Sequence, residues 1–310
     1  MSHAPVLESV RSSHTAHPRP EGVAPAPAPA KAPIGTPAQP AELGPICVPG
    51  ADAAELAAIN EGVEVLGDEA LAQIGGFRLP VGFRLSIVVP VYNEAEHLEE
   101  ILRRVAAVPV PKEIIVVDDA STDGTRDRLF DLADRLKLCV ILHDRNQGKG
   151  AAVRTGLAAC AGEVVLIQDA DLEYDPSEYP QLIRPLIERK ADVVYGSRYL
   201  GLRTQNQKWT HKLANSLLTR LSNSFTGLQL TDMETCYKAF RREAIKGLDL
   251  KESRFGIEPE MTAKIARNKL RVTEVPVSYC ARGIAEGKKI RLRDAFQAVY
   301  CIFRYSLFRR

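Results

Sequence analysis

Cysteine at metal-binding or redox spacing is missing from this 310-residue chain. Its six cysteines lie scattered, without CxxC or Cys/His clusters, which argues against a zinc site. Cys139 and Cys160 sit in apolar surroundings and read as reduced core thiols, which points to a reducing, cytoplasmic compartment. No segment has the ~18 consecutive apolar residues of a spanning helix. The N-terminus lacks the charged-then-apolar order of a signal peptide. Strong net charge is also lacking: the formal value is +2, too little for wholesale nucleic-acid binding, and no nucleic-acid partner is expected. What the chain does have is enough hydrophobic residues, 45%, for a substantial core.

Residues 1–50 carry 11 of the 20 prolines, interleaved with alanine, and almost no large apolar side chains. Proline removes backbone donors, so this tract reads as a disordered, partly extended tail. Residues 51–82 have helical spacing in places and suit one or two short helices. From 83 to 290 short β-branched runs alternate with helical stretches. LSIVVP (85–90), EIIVVD (113–118), LCVILH (138–143), EVVLIQ (163–168) and DVVYGS (192–197) suit buried strands, with RVTEVPVSY (271–279) as a late one. Between them, Leu98, Ile101, Leu102 and Val105 share one helical face, as do Leu129, Leu132 and Leu136. Strand–helix alternation predicts right-handed crossovers and an α/β fold with a mostly parallel sheet flanked by helices.

In such a sheet ligands bind beyond the carboxyl ends of the strands. There the sequence places Tyr92-Asn93-Glu94, then Asp118-Asp119 with Ser121-Thr122-Asp123-Gly124, then Asp169, Asp171 and Glu173. Carboxylates gather in one crevice only if cations or donors offset them. Oxygen ligands without His or Cys favour Mg²⁺ or Mn²⁺, held by one or two carboxylates and by substrate phosphates. An isolated DxD is more often a turn or cap; the preceding strand and the companion acidic loops reverse that weighting here. Asp123 or Thr122 is expected to cap the next helix, with Asp119 facing ligand. In Asn146-Gln147-Gly148-Lys149-Gly150 the glycines allow close backbone approach, and the helix start favours anions. Lys149 reads equally as a ligand contact or a solvated side chain. The GxxxxGK[ST] spacing of an ATPase loop is absent.

VVPVYNEAEHL, IIVVDDASTDGT, NQGKGAAVRTGL and QDADLEYDP, in that order, resemble family 2 glycosyltransferases of the GT-A (Rossmann-like) fold. VVYGSRYLG, TDMETCYKAFRRE, RFGIEPEMTAKIAR and VPVSYCARGIAEGKKI are most similar to the polyprenyl-phosphate (dolichol-phosphate) mannose and glucose synthase branch. The resemblance implies that Pro90, Tyr92 and Glu94 line a nucleoside pocket and that Asp119 touches base or ribose. It implies Asp169 and Asp171 on metal and diphosphate, Glu173 as a third metal contact, and Arg198 on a donor or acceptor phosphate. The implied donor is a nucleoside-diphosphate sugar, GDP-mannose or UDP-glucose, and the implied acceptor a lipid phosphate. The TED and QxxRW signatures of processive polysaccharide synthases are not evident.

The expected reaction is an inverting displacement. A lipid-phosphate acceptor is already ionised near neutral pH and calls for cationic positioning, with Arg198, Arg282, Lys288 and Lys289 as candidates. A hydroxyl acceptor instead needs a carboxylate base, for which Asp232, Glu234, Glu258 and Glu260 are candidates, Glu260 being the one best read as structural. Residues 282–310 hold eight basic and two acidic side chains. In 291–310, Phe296, Val299, Tyr300, Phe303 and Leu307 are interleaved with arginine. Such a helix suits a membrane interface, here the inner leaflet; the alternative is a helix docked on the core. The remaining alternatives are the same fold acting on a glycan or small molecule, a silent nucleotide-sugar-binding module, and nucleotidyl transfer.

Overall fold

The computed structural model describes residues 43–66, 68–201, 204–205, 209–281 and 292–307. The expected tail lies almost wholly outside them. Seven strands form one sheet: Leu85–Val91 (β1), Lys112–Asp118 (β2), Leu138–Leu142 (β3), Val164–Ile167 (β4), Val193–Ser197 (β5), Lys238–Arg241 (β6) and Val272–Pro276 (β7). Their order is β3-β2-β1-β4-β6-β5-β7. All pairings are parallel except those of β6, which runs antiparallel to both β4 and β5. β6 was not foreseen. Its KAFR sequence is too short to show a period, and only its pairing makes it a strand. Because β6 reverses, β4 and β5 keep the same direction, and six strand ends share one rim.

The apolar runs are buried as their composition predicts. Ile87, Val88 and Val89 of β1 are fully enclosed, as are Val165 and Leu166 of β4. Each such side chain is worth roughly 1.5–3 kcal/mol in water exclusion. Pro90 lies beyond Val88, the last β1 residue paired with β4, so its missing N–H forfeits no bond on that side. The edge strand β3 leaves Cys139 exposed, against the expectation of a core thiol; Cys160 is buried.

Helices cover the sheet: Leu98–Ala107 (α1), Thr125–Leu136 (α2), Lys149–Ala159 (α3), Tyr179–Ile187 (α4), Trp209–Thr226 (α5), Ile257–Arg267 (α6) and Leu292–Leu307 (α7). α1 buries Leu98, Ile101, Leu102 and Val105, the face its spacing predicts. N-terminal to the sheet are two helices, Ala53–Leu66 and Asp68–Gln73. Ile46–Cys47 pairs antiparallel with Phe77–Arg78, so ordered structure begins before residue 50, inside the expected tail. Cys47, Phe77 and Leu79 join the main core, and Arg184 of α4 donates to the Gly75 carbonyl at 2.9 Å.

Asp192, just before β5, clamps the sheet edge. It accepts from the Arg271 backbone N–H (3.0 Å) and from Arg271 Nε (2.9 Å) and Nη2 (2.8 Å). The Arg271 side-chain hydrogen bonds lead in lowering its pKa from 3.8 to about 2. A depressed carboxylate stabilises the fold above its unfolded pKa and loses that contribution as pH falls through the folded one. Asp192→Asn is therefore expected to lower stability near neutral pH by roughly 1 kcal/mol, allowing for solvent screening. Urea titrations should show the gap closing as pH falls from 3.8 towards 2.

Candidate functional site

The loops beyond the carboxyl ends of the strands are tied to one another in sequence across the rim. After β1, Asn93 takes a left-handed backbone (φ 53°), which asparagine tolerates. Its N–H donates to Ser121 Oγ (2.9 Å), and its Oδ1 accepts from the Thr122 N–H (2.9 Å). Asp123 accepts the Thr125 N–H at the start of α2 (3.1 Å) and the Ala95 N–H (3.1 Å). The N-cap position itself is Gly124, so neither Asp123 nor Thr122 caps α2 as expected; Asp123 braces the turn just before it and joins the first two loops. Tyr92 and Glu94 stand half-buried at this rim. Asp118 is fully buried against Arg126 Nε (2.6 Å).

Asp119 turns inward. It is 2% exposed, and its carboxylate accepts from the Gln147 N–H (2.9 Å) and the Gly148 N–H (2.7 Å) and pairs with His143 Nδ1 (2.7 Å). Its evident work is to fix the loop after β3. The glycines of that loop admit the close approach of the 252–254 backbone. A Cβ on Gly148 (φ 96°) would lie 2.3 Å from the Ser253 carbonyl oxygen, and one on Gly150 2.4 Å from that of Glu252. The Ala151 N–H at the start of α3 reaches Ser253 O (3.1 Å), so the anion site expected there is partly filled by backbone.

Lys149 is not a solvated side chain. Its Nζ lies 2.8 Å from Asp169 Oδ1 and 3.7 Å from Glu258 Oε1. Burial works against the ammonium, but the Asp169 charge, with that of Glu258, more than offsets this and raises its pKa well above the usual range. Glu258 also pairs with Lys238, which is wholly buried on β6. The turn carrying Asp169 and Asp171 is held from behind: Gln168 Oε1 accepts from Tyr179 Oη (2.7 Å) and Tyr237 Oη (2.8 Å). Asp171 Oδ1 accepts the Glu173 N–H (3.1 Å), and Glu173 Oε2 accepts from Tyr279 Oη (2.9 Å). Among the described residues no three His, Cys, Asp or Glu side chains converge as a metal-binding group. Of the expected trio, Asp169 is held by Lys149 and Glu173 accepts from Tyr279.

Beyond β5, Arg198 forms a two-pronged pair with Asp232, Nε–Oδ2 2.7 Å and Nη2–Oδ1 2.7 Å. Its guanidinium also lies over the Tyr279 ring at 5.1 Å. Asp232, fully buried and bound to Arg198, is a partner for that cation and is ill placed to act as a base. Glu260 accepts the Lys251 and Glu252 N–H groups, a structural role. Glu234 differs. It is half-buried, and its Oε1 is enclosed without a hydrogen-bond partner. Arg282, Lys288 and Lys289 lie outside the described residues. Sequence reasoning missed Gln168, Lys238 and His143. All three act through partners far apart in the chain, and no local pattern marks them.

The family model described as Glycosyl transferase family 2 matches residues 86–248, from β1 past β6. The chain belongs to this family. Within curated proteins it is 32% identical over 211 residues to the undecaprenyl-phosphate 4-deoxy-4-formamido-L-arabinose transferase of Serratia proteamaculans, covering 66% of this chain and 62% of that protein. It is 30% identical over 227 residues to the dolichol-phosphate mannosyltransferase of Pyrococcus furiosus, covering 71% and 63% respectively. The family 2 chain thus spans less than two thirds of the length of these relatives. The fold matches that of Mycobacterium tuberculosis glucosyl-3-phosphoglycerate synthase, solved with Mn²⁺, UDP and glucosyl-3-phosphoglycerate. The TM-score is 0.56 at 20% identity, over 74% of this chain and 82% of that one.

Burial, then the Glu258 charge, pushes Glu234 from 4.5 up to about 7. A raised carboxyl favours the fold below its unfolded pKa and loses that contribution as pH rises through the folded one. Glu234→Gln is expected to be more stable than wild type by about 1–3 kcal/mol at mildly alkaline pH. The difference should shrink towards pH 4.5, as read by denaturant titration.

Proposed function

We propose that this chain is a metal-dependent, inverting glycosyltransferase that moves a hexose from a nucleoside-diphosphate sugar to a polyprenyl-phosphate-type lipid. The observation that carries the reading is the charge order along the rim. Two carboxylates, Asp169 and Asp171, close the end of β4. A cation stands against the first of them, Lys149, and another at the next parallel strand end, Arg198. The kinship with lipid-phosphate sugar transferases points to the acceptor class.

The donor set fits a divalent ion. It is oxygen only, and the Lys149 ammonium already resting on Asp169 marks the place as one that accepts positive charge. Asp169 and Asp171 would hold Mg²⁺ or Mn²⁺, which supplies Lewis-acid neutralisation of the departing diphosphate. Two carboxylates suffice when substrate phosphates complete the shell. Gln168 and its tyrosine donors keep the Asp169 turn rigid, so little reorganisation is needed when charge develops. Lys149 lends that end of the crevice a second positive charge. Arg198, held by Asp232 and facing Tyr279, offers guanidinium donors to an acceptor phosphate. Tyr92 and Glu94 border the nucleoside side, and Asp119 holds the loop that carries Lys149. A phosphate nucleophile needs no base.

One observation favours a second reading, a hydroxyl acceptor. Glu234, with its unpartnered oxygen and a carboxyl raised to about 7, has the properties of a general base.

Incubation with Mn²⁺ or Mg²⁺ and radiolabelled GDP-mannose or UDP-glucose, with and without polyprenyl phosphate, separates the two. Label is expected in the organic phase only with the lipid, and Asp171→Asn is expected to lower transfer about 100-fold or more. Donor turnover indifferent to lipid, or a fully active Asp171→Asn, counts against the proposal.

A further inference from the structure

The backbone just before α6 lies between two helices that are distant in the chain. On one side is the start of α3, with the loop that carries Lys149. The Glu252 and Ser253 carbonyl oxygens press on Gly150 and Gly148, where a Cβ would meet them at 2.4 and 2.3 Å. Ser253 O accepts the Ala151 N–H (3.1 Å), and Glu252 O accepts from Arg154 Nη1 of α3 (2.9 Å).

On the other side is α7. It is docked on the protein, burying Ala298, Cys301, Ile302 and Tyr305, as the second reading of its sequence expects. It leans on the same stretch of backbone at two places. The Glu252 carboxylate accepts from Tyr305 Oη (2.8 Å), with Arg304 Nη1 at 3.5 Å from the same oxygen and Gln297 Nε2 at 3.4 Å from the other. Gly256 leaves room for Cys301, whose Sγ would stand 2.7 Å from a Cβ there. Glu252 is thus held to α7 by its side chain and to α3 by its carbonyl.

Hydrogen bonds and packing that run without a gap from one segment to the next carry energetic coupling between them. We infer that Glu252 is a positioning residue for Lys149: the seating of α7 on its carboxylate fixes the 252–254 backbone, and that backbone fixes how the Lys149 loop presents its ammonium to Asp169. The route runs from Tyr305 through Glu252 to Gly150 and Ala151, and from there to Lys149 and Asp169. An anchor serving α7 only could stand elsewhere on α6, where Ala263 already clusters with Cys301 and Tyr305. Glu252 instead touches both helices. The inference rests on the reading of Lys149 as a charge beside the donor diphosphate.

Hydrogen exchange of the full chain, read over residues 146–152, tests it without substrate. Tyr305→Phe removes the hydroxyl and keeps the ring. It is expected to speed exchange over those residues roughly fivefold. Glu252→Ala is expected to speed it further, and Glu252→Gln, which still accepts from Tyr305, to restore most of the protection. Faster exchange confined to α7, with residues 146–152 as in wild type, overturns the inference and leaves Glu252 an anchor. Calorimetry with Mn²⁺ and GDP, or Mn²⁺ and UDP, gives a second measurement. Tyr305→Phe is expected to weaken binding of the nucleotide that wild type takes by about threefold or more, and that loss should disappear in a Lys149→Met background. Equal losses in both backgrounds overturn the route through Lys149. A wild type that binds neither nucleotide strikes the functional reading, and the exchange result then decides the coupling by itself.

Discussion

Carboxylates collected at one end of a sheet repel one another, and this molecule answers with cations drawn from distant segments. Lys149 on Asp169, Lys238 on Glu258 and Arg198 on Asp232 form three pairs across β3, β4, β5 and β6. Breaking a buried pair strands an uncompensated charge, at a penalty of about 3–5 kcal/mol. The rim therefore holds its shape through mutual dependence. Glu234 is the carboxyl this scheme leaves without a hydrogen-bonded partner at Oε1, and its acidity is weakened accordingly.

The same logic explains the loops. Backbone N–H groups of the β1 and β3 loops are satisfied by side chains of the β2 loop, chiefly Ser121, Asp123 and Asp119. Irregular backbone near a binding crevice cannot rely on ladder bonds, so it borrows acceptors. Gly148 and Gly150 are required because the 252–254 backbone passes within contact distance. A sheet edge, a phosphate-like loop and the start of α6 become one unit by this packing.

Much of the architecture was legible. The β-branched runs forming β1, β2, β4 and β5 announce themselves by composition, and α1 by its 3.6-residue spacing, because burial on two faces or one imposes those patterns. β6 and α5 were not legible. β6 is four residues long, and α5 packs Leu218 and Leu221 on the core while Trp209, Leu213 and Leu217 stay exposed, so no single apolar face marks it. At the site, the residue types at the strand ends were visible, but their partners were not. Asp119 looked like a ligand contact and Lys149 equally like a contact or a solvated side chain; folding gave Asp119 a loop to hold and Lys149 a carboxylate to neutralise.

By itself the chain's order of residues determined a parallel α/β sheet and an acidic crevice beyond its strand ends, since local periodicity and chain direction suffice for both. Only the tertiary structure decided that Asp232 pairs with Arg198, Asp169 with Lys149 and Glu173 with Tyr279, and that Phe225 of α5 meets Phe303 of α7. Those outcomes depend on distances between segments tens of residues apart, and Coulomb attraction and burial act through space without regard to sequence separation.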